Sequence, residues 1–303
     1  MRLLGWLRRA PQAPAPSTGE PPRRWAWIGG RRILGIGSYV LPKDKIEGDR
    51  LDLQHHLLKV AVGRNYRAPI RVPRTILDVA SGTGIWAREM AQEFPHAQVT
   101  AFDIDRTPME RSLERLGPHG LFPRNFRFIE ANALERFPFE DEQFDFTHSR
   151  FMSPFVPRSR WPGVVAEMAR VTRRGGYVEM VEMNRAITPS VAFNAIQDVA
   201  DRLWVARGLS NNAAQELPDY FRQAGLSRVQ QRQVMLGERR SMRQARNLLI
   251  ADLLAVFTNM APFIIKSGLI SAEDYEALLG QAREELPRLG IVWPITFVFS
   301  LRL

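Results

Sequence analysis

The segment Ile76-Leu-Asp-Val-Ala-Ser-Gly-Thr-Gly-Ile-Trp86 reads as a strand ending in an acid, a glycine bend and the start of a helix. Gly82 and Gly84 permit a tight turn and let a ligand approach the backbone with no Cβ in the way. Gly82, Gly84 and Ala87 also satisfy the relaxed dinucleotide fingerprint G-x-G-x-x-G/A, so a pyrophosphate is the competing ligand. Charge separates the two. Asp78 stands four residues before Gly82 at the strand tip, where a carboxylate repels a diphosphate and attracts a cationic amino-acid moiety. S-adenosylmethionine (SAM) offers an ammonium and a sulfonium where NAD offers phosphates. The alternative for Asp78 is a cap on the following helix.

Asp103 ends the second strand, Val99-Thr-Ala-Phe-Asp103, 19 residues beyond Gly84. A carboxylate there accepts both ribose hydroxyls, a role that serves NAD and SAM alike. Asp105, two residues on, reads as a surface or helix-capping residue. After the third strand comes Ile129-Glu-Ala-Asn-Ala133, where the Asn132 amide could read an adenine edge or simply make a turn.

These motifs, with Phe137-Pro-Phe-Glu-Asp-Glu-Gln-Phe-Asp145 and Glu167-Met-Ala-Arg-Val-Thr-Arg-Arg-Gly-Gly-Tyr177, resemble class I SAM-dependent methyltransferases. Within these the chain is similar to the group of ubiquinone-biosynthesis methyltransferases and the fungal secondary-metabolism-regulator methyltransferase. Tyr39-Val-Leu-Pro-Lys-Asp44 with Glu47, Arg50-Leu-Asp-Leu-Gln54 and Gly-Ile-Trp86 are similar to the regulator branch. The resemblance implies a Rossmann-like seven-stranded α/β sheet, mostly parallel with the last strand antiparallel, carrying helical lid additions. It implies that Asp78, Ser81, Gly82 and Gly84 surround the methionine part of SAM, Asp103 the ribose, and Asn132 with Ala133 the adenine. Tyr39, Ala80, Ile104 and Ser149 join that cofactor set, with S-adenosylhomocysteine as the product. The sequence departs from the usual motif at Ala80, which replaces the first glycine, and at Asn132, which replaces a more common Asp.

Methyl transfer from a sulfonium needs positioning more than acid or metal assistance, though the acceptor can need a base. Phe146-Thr-His-Ser-Arg150 follows as the fourth strand, and Glu182 lies near the tip of the fifth. His148 could take a proton from an oxygen or nitrogen acceptor, and Arg150 could bind a carboxylate or orient a loop. The structural alternatives are that His148 and Ser149 contact SAM or brace the strand end, and that Glu182 pairs with an arginine.

The elements that position these residues alternate. From Arg74 to Asn184, strands at 75–80, 97–102, 126–130, 144–148 and 177–183 alternate with helices at 85–94, 107–116 and 160–172, the last stopped by Gly175-Gly176. Such alternation implies a doubly wound sheet with ligands beyond the carboxyl ends of its strands. An amphipathic helix at 44–62 precedes it. After it come helices at 191–207 and 213–224, a strand at 228–236 and a helix at 241–257. The apolar stretch Pro262-Phe-Ile-Ile265, a helix opened by Ser271-x-x-Asp274 and a strand at 295–301 complete the chain. Leu248, Leu249, Leu253, Leu254, Phe257, Phe263 and Ile264 supply apolar surface for a roof or for plain core. Four parts result: a flexible Pro/Arg-rich leader (1–37), a helical cap (38–73), a SAM-binding core (74–184) and a remainder with substrate-covering helices (185–303).

Composition narrows the alternatives. Cysteine is absent from the 303 residues, which excludes disulfides, thiolate metal sites and a cysteine nucleophile. The histidines form no metal set by spacing, since His55 and His56 are adjacent and His96, His119 and His148 are scattered, so no metal is expected. The net charge of +10 is concentrated at the start, where residues 1–32 hold seven arginines against Glu20 alone, leaving +4 for the rest. That is a weak footprint for nucleic acid. Arg239, Arg243 and Arg246 share a helical stripe, either a solvated face or a clamp for an anionic substrate. No apolar run appears long enough to cross a bilayer, and Arg8 and Arg9 interrupt the only signal-like patch, which points to a cytoplasmic protein. The expected reaction is methylation of an oxygen or nitrogen on a small metabolite of specialised or cofactor metabolism. An RNA or protein methyltransferase and a SAM-binding regulator with little turnover are the alternatives. The acceptor and the oligomeric state are not legible.

Overall fold

The computed structural model describes residues 25–28, 31–34, 45–115, 123–238 and 243–303. Two short strands, β1 (Trp25–Ile28) and β2 (Arg31–Leu34), pair antiparallel with Ile28 opposite Arg31, within the segment expected to be a flexible leader. Aromatic and β-branched residues on either side of Gly29-Gly30 are the sequence signature of such a hairpin.

The main sheet has seven strands in the order β5-β4-β3-β6-β7-β9-β8. They are β3 (Thr75–Val79), β4 (Gln98–Asp103), β5 (Phe126–Glu130), β6 (Phe144–Arg150), β7 (Thr172–Met183), β8 (Gln230–Leu236) and β9 (Trp293–Leu301). Every pair from β5 to β7 is parallel, while β9 runs antiparallel to both neighbours, as expected for the last strand. Strand order reverses between β4 and β6 about β3, so the crevice beyond β3 is the topological switch point.

Alternation along the strands decides which face each helix covers. Leu77, Val79, Phe102, Val178 and Val298 pack against α4 (Trp161–Val171) and α6 (Ala213–Gln223). Ile76, Val99, Ala101 and Phe299 pack with Trp86, Ala87 and Met90 of α2 (Ile85–Glu93) and Met109 of α3 (Thr107–Arg115). Val181, Ile295 and Phe297 build a third cluster with α1 (Lys45–Val62), α5 (Val191–Ala206), α7 (Arg243–Lys266) and α8 (Ala272–Leu289). That cluster lies on the helix side beyond β7 and roofs the strand tips.

β7 and α7 differ from expectation. Gly175-Gly176 does not stop the chain before a strand but lies inside β7, where the register to β6 shifts between Phe144 and Phe146. A Cβ on Gly176 would meet the Asp145 carbonyl at 2.7 Å, so the glycine is there for close approach. α7 runs through Pro262 to Lys266 rather than ending at Phe257. The carbonyl that loses its amide partner to the proline belongs to Thr258, which is exposed to water. Ala245–Lys266 is, by length and composition, apolar enough to cross a bilayer, contrary to expectation. Its Asp252 and Asn259 are nevertheless buried in polar contacts with α1, the arrangement of a core helix.

Candidate active site

Parallel register places Asp78 of β3 directly opposite His148 of β6. The Asp78 Oδ1 lies 3.2 Å from His148 Nδ1, and the imidazole stacks on the Trp86 ring with centroids 3.8 Å apart and planes 4° from parallel. Both groups are buried. Burial pushes the Asp78 carboxyl up to about 8, against the opposing pull of Arg150, and holds the imidazole well below its usual range. Asp78 Oδ2 and Ser81 Oγ have no hydrogen-bond partner among the described residues. A buried acid with an unmatched oxygen beside the glycine bend fits a cationic ligand group.

The bend itself follows from the sequence. Ala80 sits at φ 56° and Gly82 at φ 56°, so the position where the family motif carries glycine does demand a left-handed backbone, and alanine is strained there. The Ser81 amide donates to the Phe102 carbonyl at 3.0 Å, and the Gly82 amide donates to Asp103 Oδ2 at 3.0 Å. Asp103 also accepts from the Asp105 amide at 3.2 Å. The β4 acid is thus tied to the β3 loop.

A cavity of about 300 Å³ opens over these strand tips. Asp78, Ala80, Ser81, Gly82, Asp103 and Ile104 form its floor, and Asn132 and Ala133 close one end. His148 and Arg150 also line it. Asn132 makes the turn considered for it, with Oδ1 accepting from the Leu134 amide at 3.0 Å and Nδ2 donating to Glu135 at 2.8 Å. Oδ1 can accept one bond more than the one it takes from Leu134.

Among the described residues, three expected site residues are not brought to the cavity. Gly84 begins α2 at φ 68° with its Cα facing Met109, so it serves the helix start. Ser149 alternates with His148 and Arg150 and points to the other face of β6. Among the described residues, Glu182 does not line the cavity and pairs with no arginine. Its Oε1 accepts from the Met152 and Ser153 amides at 2.5 and 3.3 Å, and burial raises it to about 7, which makes it a clamp on the loop after β6. That loop carries Phe151 at φ 58°. Tyr39 lies outside the described residues, as do Arg239 and the Arg243 side chain. Arg246 does not line the cavity.

Sequence reasoning missed the polar face of α1. Glu47, Arg50, Leu51 and Gln54 line the cavity at i, i+3, i+4 and i+7. Arg50 forks onto Glu47 at 2.7 and 3.0 Å and reaches Asp252 of α7 at 2.9 Å, while Asn259 donates to Glu47 at 2.8 Å. A buried ion network therefore pins α1 to α7 across the site. From α1, Asp52 accepts from Thr83 of the glycine loop at 2.6 Å. The signal was present as a polar stripe at helical spacing, but a search for apolar periodicity passes over it.

The adjacent His55 and His56, which by spacing alone form no metal set, meet edge to face with ring centroids 5.3 Å apart, and with Glu89 their ligand atoms lie within 4.8 Å of one another. Arg150 stands 3.1 Å from His55, and Lys59 lies 2.7 Å from the same Glu89 carboxylate. Burial lowers His55 to about 4. Two cations on the three groups make the cluster a brace for Arg150.

A seven-stranded sheet of this order, with acids at the tips of β3 and β4 flanking a glycine bend, is the Rossmann-like methyltransferase fold. Residues 76–176 match the protein family described as "Methyltransferase domain". The chain is 34% identical over 169 residues to the methyltransferase pytC of Aspergillus terreus, an alignment covering 53% of this chain and 47% of that protein. It is 30% identical over 172 residues to the secondary metabolism regulator laeA of Aspergillus fumigatus, covering 55% and 42%. The chain thus spans about half the length of the curated relatives it matches. Among solved structures, it aligns over 86% of its length to 96% of a chain from the complex between the Haloferax volcanii Trm112 methyltransferase activator and a methyltransferase. That match has a TM-score of 0.50 and 15% identity, a likeness of fold.

Proposed function

We propose that the protein transfers a methyl group from SAM to an oxygen or nitrogen of a small lipophilic metabolite. The observation that carries this reading is one continuous cavity joining the acid-and-glycine floor to a chamber lined by Phe155, Trp204, Phe257 and Trp293. SAM bound on that floor would supply an electrophilic methyl group. Asp78 and Arg150 present an acid and a guanidinium side by side, the complement of an amino-acid zwitterion. Asp103 serves the ribose, Ala133 and Asn132 the adenine, and α1 closes over the loop to exclude water. His148 orients Asp78: an imidazole whose pKa burial depresses well below 6.5 is a poor proton acceptor from a substrate. An enclosed aromatic chamber suits a metabolite better than RNA or a protein side chain, and pytC and laeA carry names from methyl transfer and secondary metabolism.

The identity to laeA keeps a regulatory SAM-binding reading in play, and one experiment separates the two. Titration calorimetry should show SAM and S-adenosylhomocysteine binding and NAD not binding. Incubation with methyl-labelled SAM and a fungal metabolite extract should then place label in a small-molecule product. SAM binding with no labelled product from any extract would favour the regulator, and NAD binding in place of SAM would end the methyltransferase reading.

A further inference from the structure

Beyond the cofactor floor, two helices wall the cavity at the same spacing. From α7, Leu253, Val256, Phe257 and Met260 face it at i, i+3, i+4 and i+7, a wholly apolar stripe. From α5, Gln197, Ala200, Asp201 and Trp204 repeat the spacing, but this stripe carries polar groups. The Gln197 amide is engaged, accepting from the Ala186 amide at 2.9 Å and donating to the Ala186 carbonyl at 3.1 Å. That leaves Asp201.

Asp201 Oδ2 accepts from Arg185 at 2.8 Å, and the same guanidinium holds Asp198 at 2.7 Å. Two acids on one arginine leave a net negative charge at the chamber's rim. The Asp201 side chain keeps 38% of its surface accessible, enough to meet a ligand. Among the described residues, Arg185 is the one cation lining the chamber beyond the floor, and both acids already share it. An anionic acceptor therefore meets repulsion with no unshared cation to offset it.

We propose that Asp201 selects the acceptor: a lipophilic, ring-bearing molecule whose hydroxyl or amine donates to the second carboxylate oxygen while its rings lie against Trp204 and Phe257. The proposal rests on reading this chamber as the acceptor side of a SAM site.

The test is titration calorimetry of the full chain saturated with S-adenosylhomocysteine, using probes of one ring system: 2-naphthol, 1-naphthylmethylamine, 1-naphthoate and naphthalene. At least one donor probe should bind about tenfold tighter than both naphthoate and naphthalene, and the tighter of the two donors distinguishes hydroxyl from amine. Asp201→Asn should shrink that margin to about twofold, while Phe257→Ala should weaken all four without reordering them. Naphthoate binding as tightly as the donors, no binding by any probe, or a margin that survives Asp201→Asn would each overturn the proposal. The ranking on the unaltered chain decides even if the variant fails to fold. Failure of the cofactor reading is visible separately, in the first titration with S-adenosylhomocysteine, and the probe ranking can still be measured without cofactor.

Discussion

Asp78 is where charge and burial conflict most directly. With its carboxyl raised to about 8 it is protonated at neutral pH until a cation arrives, so a cationic ligand must displace a proton. SAM affinity should therefore rise by up to about tenfold per pH unit between pH 6 and 7.5, and Asp78→Asn should bind more weakly with that slope flattened. Calorimetry across the pH series checks both, and an unaltered slope in the variant would remove Asp78 from the site. Glu182 carries the same conflict without a ligand to resolve it. Its folded-state pKa of about 7 lies above the usual carboxyl value, so the stability it contributes is complete at low pH and is lost as pH rises through 7. Glu182→Gln keeps the acceptor for the Met152 and Ser153 amides and removes the buried charge. Urea melts should show it about 1–3 kcal/mol more stable than the parent at pH 8, with the gap shrinking toward pH 5. The motif acids and the Ala80 bend could be read in the sequence because strand tips and glycine turns have local signatures. What Glu182 and Ser149 do could not, because it depends on which face of a strand meets which loop.

Among the elements, α1 is the one whose role changes most between sequence and structure. Its apolar residues Leu57, Leu58 and Val62 mark a helix packing on the third core cluster, and that much is periodicity. Its polar stripe closes the cofactor floor because Arg50 finds Asp252 two hundred residues away in sequence, a pairing that no window along the chain displays. Removing the cation leaves two buried acids with only amide donors such as Asn259 and Gln54 in place of their shared guanidinium. Arg50→Met should cost about 3–5 kcal/mol in a urea melt at pH 7, and adding Asp252→Asn should recover part of the loss. A cost below 1 kcal/mol would mean that the network is solvated and does not latch α1 to α7. The alternating strands and helices from β3 to β7 were legible by contrast, since each has its own period and its own turn residues. The continuation of α7 through Pro262 was not, because packing and not local sequence decides that Thr258, whose carbonyl loses its amide partner, lies on the exposed face of the helix.

At the scale of the molecule, the three core clusters divide the work. One lies under the sheet with α4 and α6, one under α2 and α3, and the third is the helical roof. The cavity runs between the sheet tips and that roof, with α1 as the element touching both. A ligand seated there should bind the folded chain alone, and at a hundred times its dissociation constant it should stabilise by about 2.7 kcal/mol. For a chain of this size that is a rise of about 5 °C in melting temperature. The gain should be unevenly distributed. Hydrogen exchange with S-adenosylhomocysteine present should slow in α1, in the 80–84 loop and along the cavity face of α7, because their opening would release the ligand. It should change little in α4, which contributes no residue to the cavity lining and reaches the ligand only through the sheet. Protection that spreads equally over all three clusters would mean that the ligand merely reports global stability. Protection confined to the 80–84 loop would mean that α1 and α7 do not close over the cofactor at all, and the chamber they wall would then have to admit its acceptor from open solvent.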